Sequence, residues 1–292
     1  MSTMNVRWRK WSVAFRYIPL IFFGIIFVFP ILFMLVSSLK PDMQLLRDTS
    51  SLRAFLPIGD ISINNYRGAF DRVPMARFVF NSVLVTTITL GLALLINSMA
   101  AFSLALLKWR GQGFVLSIVI ATFIIPFETV AVPLLLIVNK LPNIDSTGVS
   151  TGWLNTYHVQ IIPFIADAFN IFLFYQYFKD LPAEIIEAAE IDGASWFQIY
   201  RRVVLPLSGP VFATAAILKF LAMWNQYLWP LMVVQSEEYR PVMVGLQYFF
   251  QLDVAWGEIM AYLSTITIPV LIFYLMLQRA FIESIASTGV KG

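Results

Sequence analysis

Few residues in this chain have the type or spacing for covalent chemistry. Among its 292 residues there is no cysteine and one histidine, His158. That excludes a thiol nucleophile, a Cys-based zinc site, an iron–sulfur cluster and a disulfide framework. It also argues against His-based metal sites and a His-dependent triad. No Gly-x-x-x-x-Gly-Lys-Ser/Thr segment occurs, so the sequence has no phosphate-cradling loop for ATP. What remains is a set of polar residues in apolar surroundings: Asn81, Asn97, Glu128, Asp167, Asn170, Lys219, Asn225 and Gln226. Polar groups at membrane depth are costly and face a bundle interior or a water-filled cavity. Glu128 between Pro126 and Pro133, and Trp224 with Asn225 and Gln226, are the candidates for a pathway; helix-to-helix hydrogen bonds are the competing use. Asp167 fits a helix contact better than a proton path, and His158 fits a structural place at a membrane boundary.

A second group of charges sits in the polar segment Asp180–Pro206. Pro182 suits a first helical turn, where its missing N–H costs nothing. Ala183 to Ile191 are mostly good helix formers, and Glu184 and Glu187 lie near the end where the helix dipole favours negative charge. Gly193 can close that helix in the left-handed conformation. Ser195 is a natural N-cap for a second short helix from Trp196 to about Val203, which Pro206 should stop. Trp196, Tyr200 and Val203 fall on one face of it, flanked by Phe197. The expected product is a helix–Gly–helix hairpin with exposed aromatics, and exposed apolar surface on a polar loop marks a protein contact.

The elements that hold these residues follow from composition. The chain is 59% hydrophobic and 13% charged, against about 25% charged in a soluble domain. A lipid solvent accounts for this, because outward side chains must then be apolar too. A spanning helix needs roughly 20 mostly apolar residues, and six stretches qualify: about 17–39, 78–107, 114–138, 157–178, 210–234 and 259–277. Arg7, Arg9, Lys10 and Arg16 precede the first, with no acid before Asp42. The apolar run exceeds a signal-peptide core and no cleavage site is evident, so residues 1–16 read as a cytoplasmic tail. The aromatics of the first span read as lipid-facing bulk. Residues 17–292 read as a single transmembrane domain with both termini cytoplasmic. The outer segments are then about 40–77, 139–156 and 235–258. The positive-inside rule supports this in part: the first outer loop carries Lys40, Arg47, Arg53, Arg67, Arg72 and Arg77, offset by Asp42, Asp48, Asp60 and Asp71.

The 180–206 segment carries a family resemblance. Glu187-Ala188-Ala189, Gly193 four positions after Ala189, and Val203-Val204-Leu205-Pro206 match the coupling loop of bacterial ABC-importer permeases. The family pattern is Glu-Ala-Ala, three residues, Gly, nine residues, Ile-x-Leu-Pro; here Val203 replaces Ile. Ile191-Asp-Gly-Ala194, Trp224-Asn225, Trp229-Pro230 and the ending Gly289-Val-Lys-Gly292 resemble the carbohydrate branch, of the maltose-transporter second-permease type. The resemblance covers nearly everything after about Tyr17.

It implies an all-α, six-span permease subunit, without catalysis or a cofactor of its own, in a bacterial or archaeal cell membrane. A related second permease, two ATPase subunits that hold ATP and Mg, and an external solute-binding protein complete the assembly. Glu187 would be the charged contact to the ATPase, and Ala188 and Ala189 would keep the helix surface small. Gly193 would make the turn, and Leu205-Pro206 would fix the exit into the fifth span. Thr288, Gly289, Lys291 and Gly292 would form a tail reaching the ATPase pair. The 235–256 loop would probe the solute-binding protein, and the solute would be a sugar, oligosaccharide or polyol derivative. An ion-coupled secondary transporter would need a midplane ion site and repeat symmetry, and no inverted repeat is identified. An intramembrane enzyme would need a catalytic constellation the composition lacks. A permease for phosphate, peptides or amino acids is opposed by the Ile191–Ala194 wording and the C-terminal ending.

Overall fold

The structure is a computed structural model. It describes the backbone of residues 2–145, 148–251 and 254–289, and the side chains of residues 17–143, 151–251 and 254–278. In chain order the helices are α1 (Ser2–Ser37), α2 (Asp42–Asp48), α3 (Asn64–Arg72), α4 (Met75–Ala105), α5 (Gln112–Ile124) and α6 (Phe127–Val138). A two-stranded antiparallel ladder follows, β1 (Pro142–Asp145) with β2 (Gly148–Thr151), in the register Pro142 to Thr151 through Asp145 to Gly148. Then come α7 (Tyr157–Ile161), α8 (Ala168–Lys179), α9 (Ala183–Ile191), α10 (Trp196–Ile199), a π-helical turn (Tyr200–Val204) and α11 (Leu205–Leu207). The last helices are α12 (Gly209–Trp224), α13 (Leu228–Val233), α14 (Val242–Gly245) and α15 (Trp256–Gly289).

Among the described residues, four stretches are long and apolar enough to cross a membrane: Tyr17–Ser37, Met75–Ala105, Tyr157–Lys179 and Trp256–Gln278. Two bent pairs, Gln112–Ile124 with Phe127–Val138 and Trp196–Leu207 with Gly209–Trp224, bring the count to six if each pair is one span. The fold is therefore the expected helical membrane architecture. Three of its spans are not the continuous rods that hydropathy implies. The third bends by 103° at Ile125–Pro126, where proline removes a backbone donor and its ring collides with the preceding turn. Pro133, which also lies inside that stretch, leaves α6 helical. The fourth is interrupted at Ile165–Asp167, and the fifth stops at Trp224 and resumes only at Leu228. The segments between the spans also carry structure: α2 and α3, the β ladder and α14.

The chain forms two compact units. The first comprises residues 1–74 and 246–268. The apolar residues of its first span, from Tyr17 on, are largely exposed, as lipid-facing residues must be. Its polar interior centres on Lys40, 1% exposed, whose ammonium donates to Asp48 (3.2 Å) and to the Arg53 carbonyl (2.6 Å). Burial alone would push the Asp48 carboxyl up. Hydrogen bonds from Lys40 and Gln44, with the charges of Lys40 and Arg47, outweigh it and hold that carboxyl below its usual range. The 246–268 part joins through Arg72, paired with Glu258 at 2.8 Å and lying over the Phe249 ring, and through Asp42, which accepts from the Gly257 N–H at 2.7 Å.

The second unit comprises residues 75–245 and 269–292, with α4 as its axis. Phe78, Ser82, Val85, Thr89, Ala93, Asn97 and Ala101 are buried at steps of three or four residues, one helical stripe facing α8 and α12. The stripe mixes small and polar residues because helices packing in lipid gain from close approach and interhelical hydrogen bonds rather than from apolar area.

Candidate functional site

The 180–208 segment is built by local rules. α9 begins directly after Pro182. Gly193 closes it at φ +76°, a left-handed conformation that glycine adopts without steric cost, and no atom lies within 4 Å of where a Cβ would sit. Ser195 then caps α10 through a reciprocal pair: its hydroxyl accepts from the Gln198 N–H, and the Gln198 side chain accepts from the Ser195 N–H at 2.8 Å. The helical run passes through Pro206 instead of stopping there. The wider π turn before it shifts the hydrogen bonding, with the Leu205 N–H donating to the Tyr200 carbonyl, and so accommodates a residue that has no N–H to give. The break falls at Ser208, where the chain turns by 80° into α12.

The hairpin has two unlike faces. Ile186, Ile199, Tyr200 and Val204 are buried with Phe102, Phe174 and Phe178. The Tyr200 ring meets Phe102 at 5.3 Å, and its hydroxyl shares a 2.7 Å hydrogen bond with Ser98. The Trp196–Tyr200–Val203 face, expected outside, is divided: Tyr200 turns inward, where α4 offers it an apolar wall with a hydroxyl, while Trp196, 41% exposed, and Phe197 stay outside as expected. The outward face carries Glu187 and Ala188, both exposed, with Ile191 85% and Phe197 61% exposed. Ala189 is half-buried, as is Leu205, while Pro206 is exposed. Beside Glu187 a cleft of about 450 Å³ opens between α9 and the end of α4, with Lys108, Lys179 and Glu190 among its lining residues.

A second constellation lies deeper in the same unit. The break at Ile165–Asp167 is held from two sides. Asn97 of α4 donates to the Ile165 carbonyl (3.2 Å) and accepts from the Asp167 N–H (3.1 Å). Asp167 caps α8 by accepting from the Asn170 N–H, and its other oxygen receives the Lys219 ammonium of α12 at 2.7 Å. Lys219 is 4% exposed, and the Asp167 side chain 26%. The Asn97 amide and the Asp167 carboxylate satisfy backbone that helix breaking has left open, which is the condition for irregular chain at membrane depth, and Lys219 neutralises that carboxylate.

The three broken spans meet in one aromatic cluster. Phe127 follows the 125–126 bend, Phe164 precedes the 165–167 break and Trp229 follows the 225–227 break. Their ring centroids are 5.4, 5.9 and 6.2 Å apart. Each adjoins a proline (Pro126, Pro163 and Pro230), a signal present in the sequence but legible only once the three segments are known to touch. Glu128, one residue beyond Phe127, is exposed, as is Asn225, which turns back to the Leu221 carbonyl (2.9 Å) at the end of α12. Gln226 is half-buried. Trp224 is packed inside, stacked on Phe220 at 5.6 Å, and so does not open onto the break. His158 meets the edge of Trp153 at 5.0 Å, and no group of metal-ligating side chains forms among the described residues.

At the far end of α12 the 235–245 loop is pinned. Asn81, wholly buried, donates to the carbonyls of Glu238 and Arg240 (both 2.9 Å) and accepts from the Tyr157 hydroxyl. Ser82 accepts from the Val242 N–H, Gln160 donates to the Tyr239 carbonyl, and Asn155 accepts from the N–H groups of Gln235 and Ser236. Of the C-terminal residues singled out in the sequence, Thr288 and Gly289 end α15 with side chains outside the described set, and Lys291 and Gly292 lie outside the described residues altogether.

This architecture, with broken spans around a polar core and a hairpin between the fourth and fifth, has known counterparts. Residues 93–286 match the family of binding-protein-dependent transport system inner membrane components. The chain belongs to that family. It is 33% identical over 273 residues to the arabinooligosaccharide transport system permease protein AraQ of Halalkalibacterium halodurans, covering 93% of this chain and 94% of that one. It is 30% identical to the sn-glycerol-3-phosphate transport system permease protein UgpE of Brucella abortus, covering 91% and 93%. Its fold matches a crystal structure of a bacterial ABC transporter involved in alginate import, with a TM-score of 0.71 at 23% identity over 96% of this chain and 99% of that one. The chain is accordingly a multi-pass membrane permease of the ABC-importer type, and its relatives are transport proteins rather than enzymes.

Proposed function

We propose that this permease carries an oligosaccharide or a related polyol derivative inward, driven by ATP hydrolysed in partner subunits. The observation that carries the reading is the bare outward face of the 180–208 hairpin, joined rigidly to two spans on its inward side. Glu187 presents the charge to the ATPase, Ala188 and Ala189 let the surfaces approach, and Gly193 sets the angle between α9 and α10. Leu205 and Pro206 carry the displacement toward α12. The ATPase pair holds ATP and Mg. The hairpin and both chain ends lie on the cytoplasmic side, and the Thr288–Gly292 tail reaches the same ATPases.

The 235–245 loop then faces the external solute-binding protein. Residues 17–292 act as one permease domain beside a related second permease. Glu128, exposed within an apolar stretch, is too costly to leave against lipid; it faces the pathway or the second permease. Asn225 and Gln226, at a broken span end, offer hydrogen bonds to a hydroxyl-rich solute, with Trp224 bracing them from within. The sugar class is supported by the arabinooligosaccharide and glycerol-phosphate relatives.

The test is uptake into vesicles holding the full complex, with a labelled panel of arabinose oligosaccharides, maltodextrins, lactose and glycerol 3-phosphate. ATP-dependent accumulation of one panel member, reduced at least about tenfold in Glu187→Ala with the complex still assembled, supports the reading. Uptake that ignores ATP or follows an ion gradient overturns it.

A further inference from the structure

We infer that the Asp167–Lys219 ion pair, clamped by Asn97, is the joint that makes the two arms of the hairpin move as one lever and passes its displacement to the mid-span breaks. The inference rests on the reading of the hairpin as the ATPase contact. α8 enters the hairpin and α12 leaves it. The arms are tied at three levels. Near the hairpin the Tyr177 hydroxyl donates to the Leu207 carbonyl (2.8 Å), and halfway along Phe174 meets Phe212 at 4.6 Å. At the far end Lys219 meets Asp167 at 2.7 Å.

Asp167 stands twelve residues from the end of α8 and Lys219 ten from the start of α12. At about 1.5 Å per residue these are about 18 and 15 Å, near half of a hydrocarbon core of about 30 Å. The first two ties are one neutral hydrogen bond and one ring contact, and either can slide. The third is charge-assisted, and its Lys219 end is buried. It also fixes the cap of α8, so a shift of α12 must move the 165–167 break. Phe164, beside that break, touches both Phe127 and Trp229, so the other two breaks receive the same displacement.

Both Asp167 oxygens are engaged, one by Lys219 and one by the Asn170 N–H. That assigns the carboxylate to position rather than to proton or solute capture; Asp167 and Lys219 are positioning residues. The informative variant is Asp167→Asn/Lys219→Met, because Asn still caps a helix, Met keeps the apolar stem, and no unpaired charge is left buried. In vesicles holding the full complex, ATP hydrolysis and accumulation are read together for the panel sugar that the wild type accumulates fastest.

The expected result is hydrolysis within about twofold of wild type and sugar moved per ATP down about fivefold or more, the scale of a site-to-site coupling. A sugar-to-ATP ratio unchanged in the variant overturns the joint. So does a parallel loss of assembly and hydrolysis in both this variant and Asp167→Asn alone, which would make the pair a folding element only. Wild-type vesicles that accumulate nothing with ATP would instead sink the transport reading, and the joint with it.

Discussion

The two ends of the second unit solve opposite problems. At one end the 235–245 loop has no long helix of its own, yet five side chains from elsewhere in the unit hold its backbone: Asn81, Ser82, Asn155, Tyr157 through Asn81, and Gln160. At the other end the 180–208 hairpin fixes its own turns with a left-handed glycine and a capping box, buries one face and leaves the other bare. The first is a platform whose shape is set by side chains within its own unit. The second leaves a face bare, which the proposed reading gives to an ATPase. Order borrowed from distant residues suits a surface that must keep one shape; order supplied locally suits a segment that must be displaced without unravelling.

The comparison breaks if the platform survives loss of its main anchor. Asn81→Leu removes two donors to main-chain carbonyls and the acceptor of the Tyr157 hydroxyl. Buried groups left unsatisfied cost about 1–3 kcal/mol each, so a loss of about 3 kcal/mol or more is expected. The detergent-solubilised protein should unfold at a visibly lower temperature, and amide exchange in 236–245 should rise while the hairpin stays protected. A smaller effect is expected at Gly193→Val. The position is open, so the cost is that of φ +76° alone, about 1–2 kcal/mol, and the faster exchange should stay within 183–204. The sharpest contrast comes from the smallest stability effect. Ile191→Ser alters a residue that touches little within the chain, so stability should hold within about 0.5 kcal/mol, while copurification of the ATPase subunit falls. Unfolding by Ile191→Ser, or indifference to Asn81→Leu, would reverse the assignment of the two ends.

What the sequence discloses follows the same division. The hairpin was legible because its rules are local: Gly193 and Ser195 do what their side chains permit, whatever surrounds them. Trp196 and Phe197 are exposed as expected, but Tyr200 was misjudged because amphipathic spacing identifies a face and not its partner; the partner, α4, lies about a hundred residues away at Ser98 and Phe102. The membrane architecture was legible, four spans as single stretches and six if each bent pair is one, because about twenty apolar residues can do little else in lipid. Their breaks were not. Pro126 gives a sharp bend and Pro133 none, and the interruption at 165–167 needs Asn97 to bond its open backbone and Lys219 to pair with its carboxylate. Asp167 as a helix contact was readable from cost alone, and Lys219 as its partner was not, since nothing local links positions 52 residues apart. The aromatic cluster failed for the same reason: three aromatic–proline neighbours are unremarkable until the chain folds them together.

The bare hairpin face also bears on how many copies of the subunit a cell can keep. On the proposed reading, a chain made in excess of its partners presents Ile191 and Phe197 to water. Association covers those side chains and removes the signal. A feature that completes an assembly would then also mark the orphan, and subunit numbers would be balanced by removal of the unpartnered chain without any separate tag.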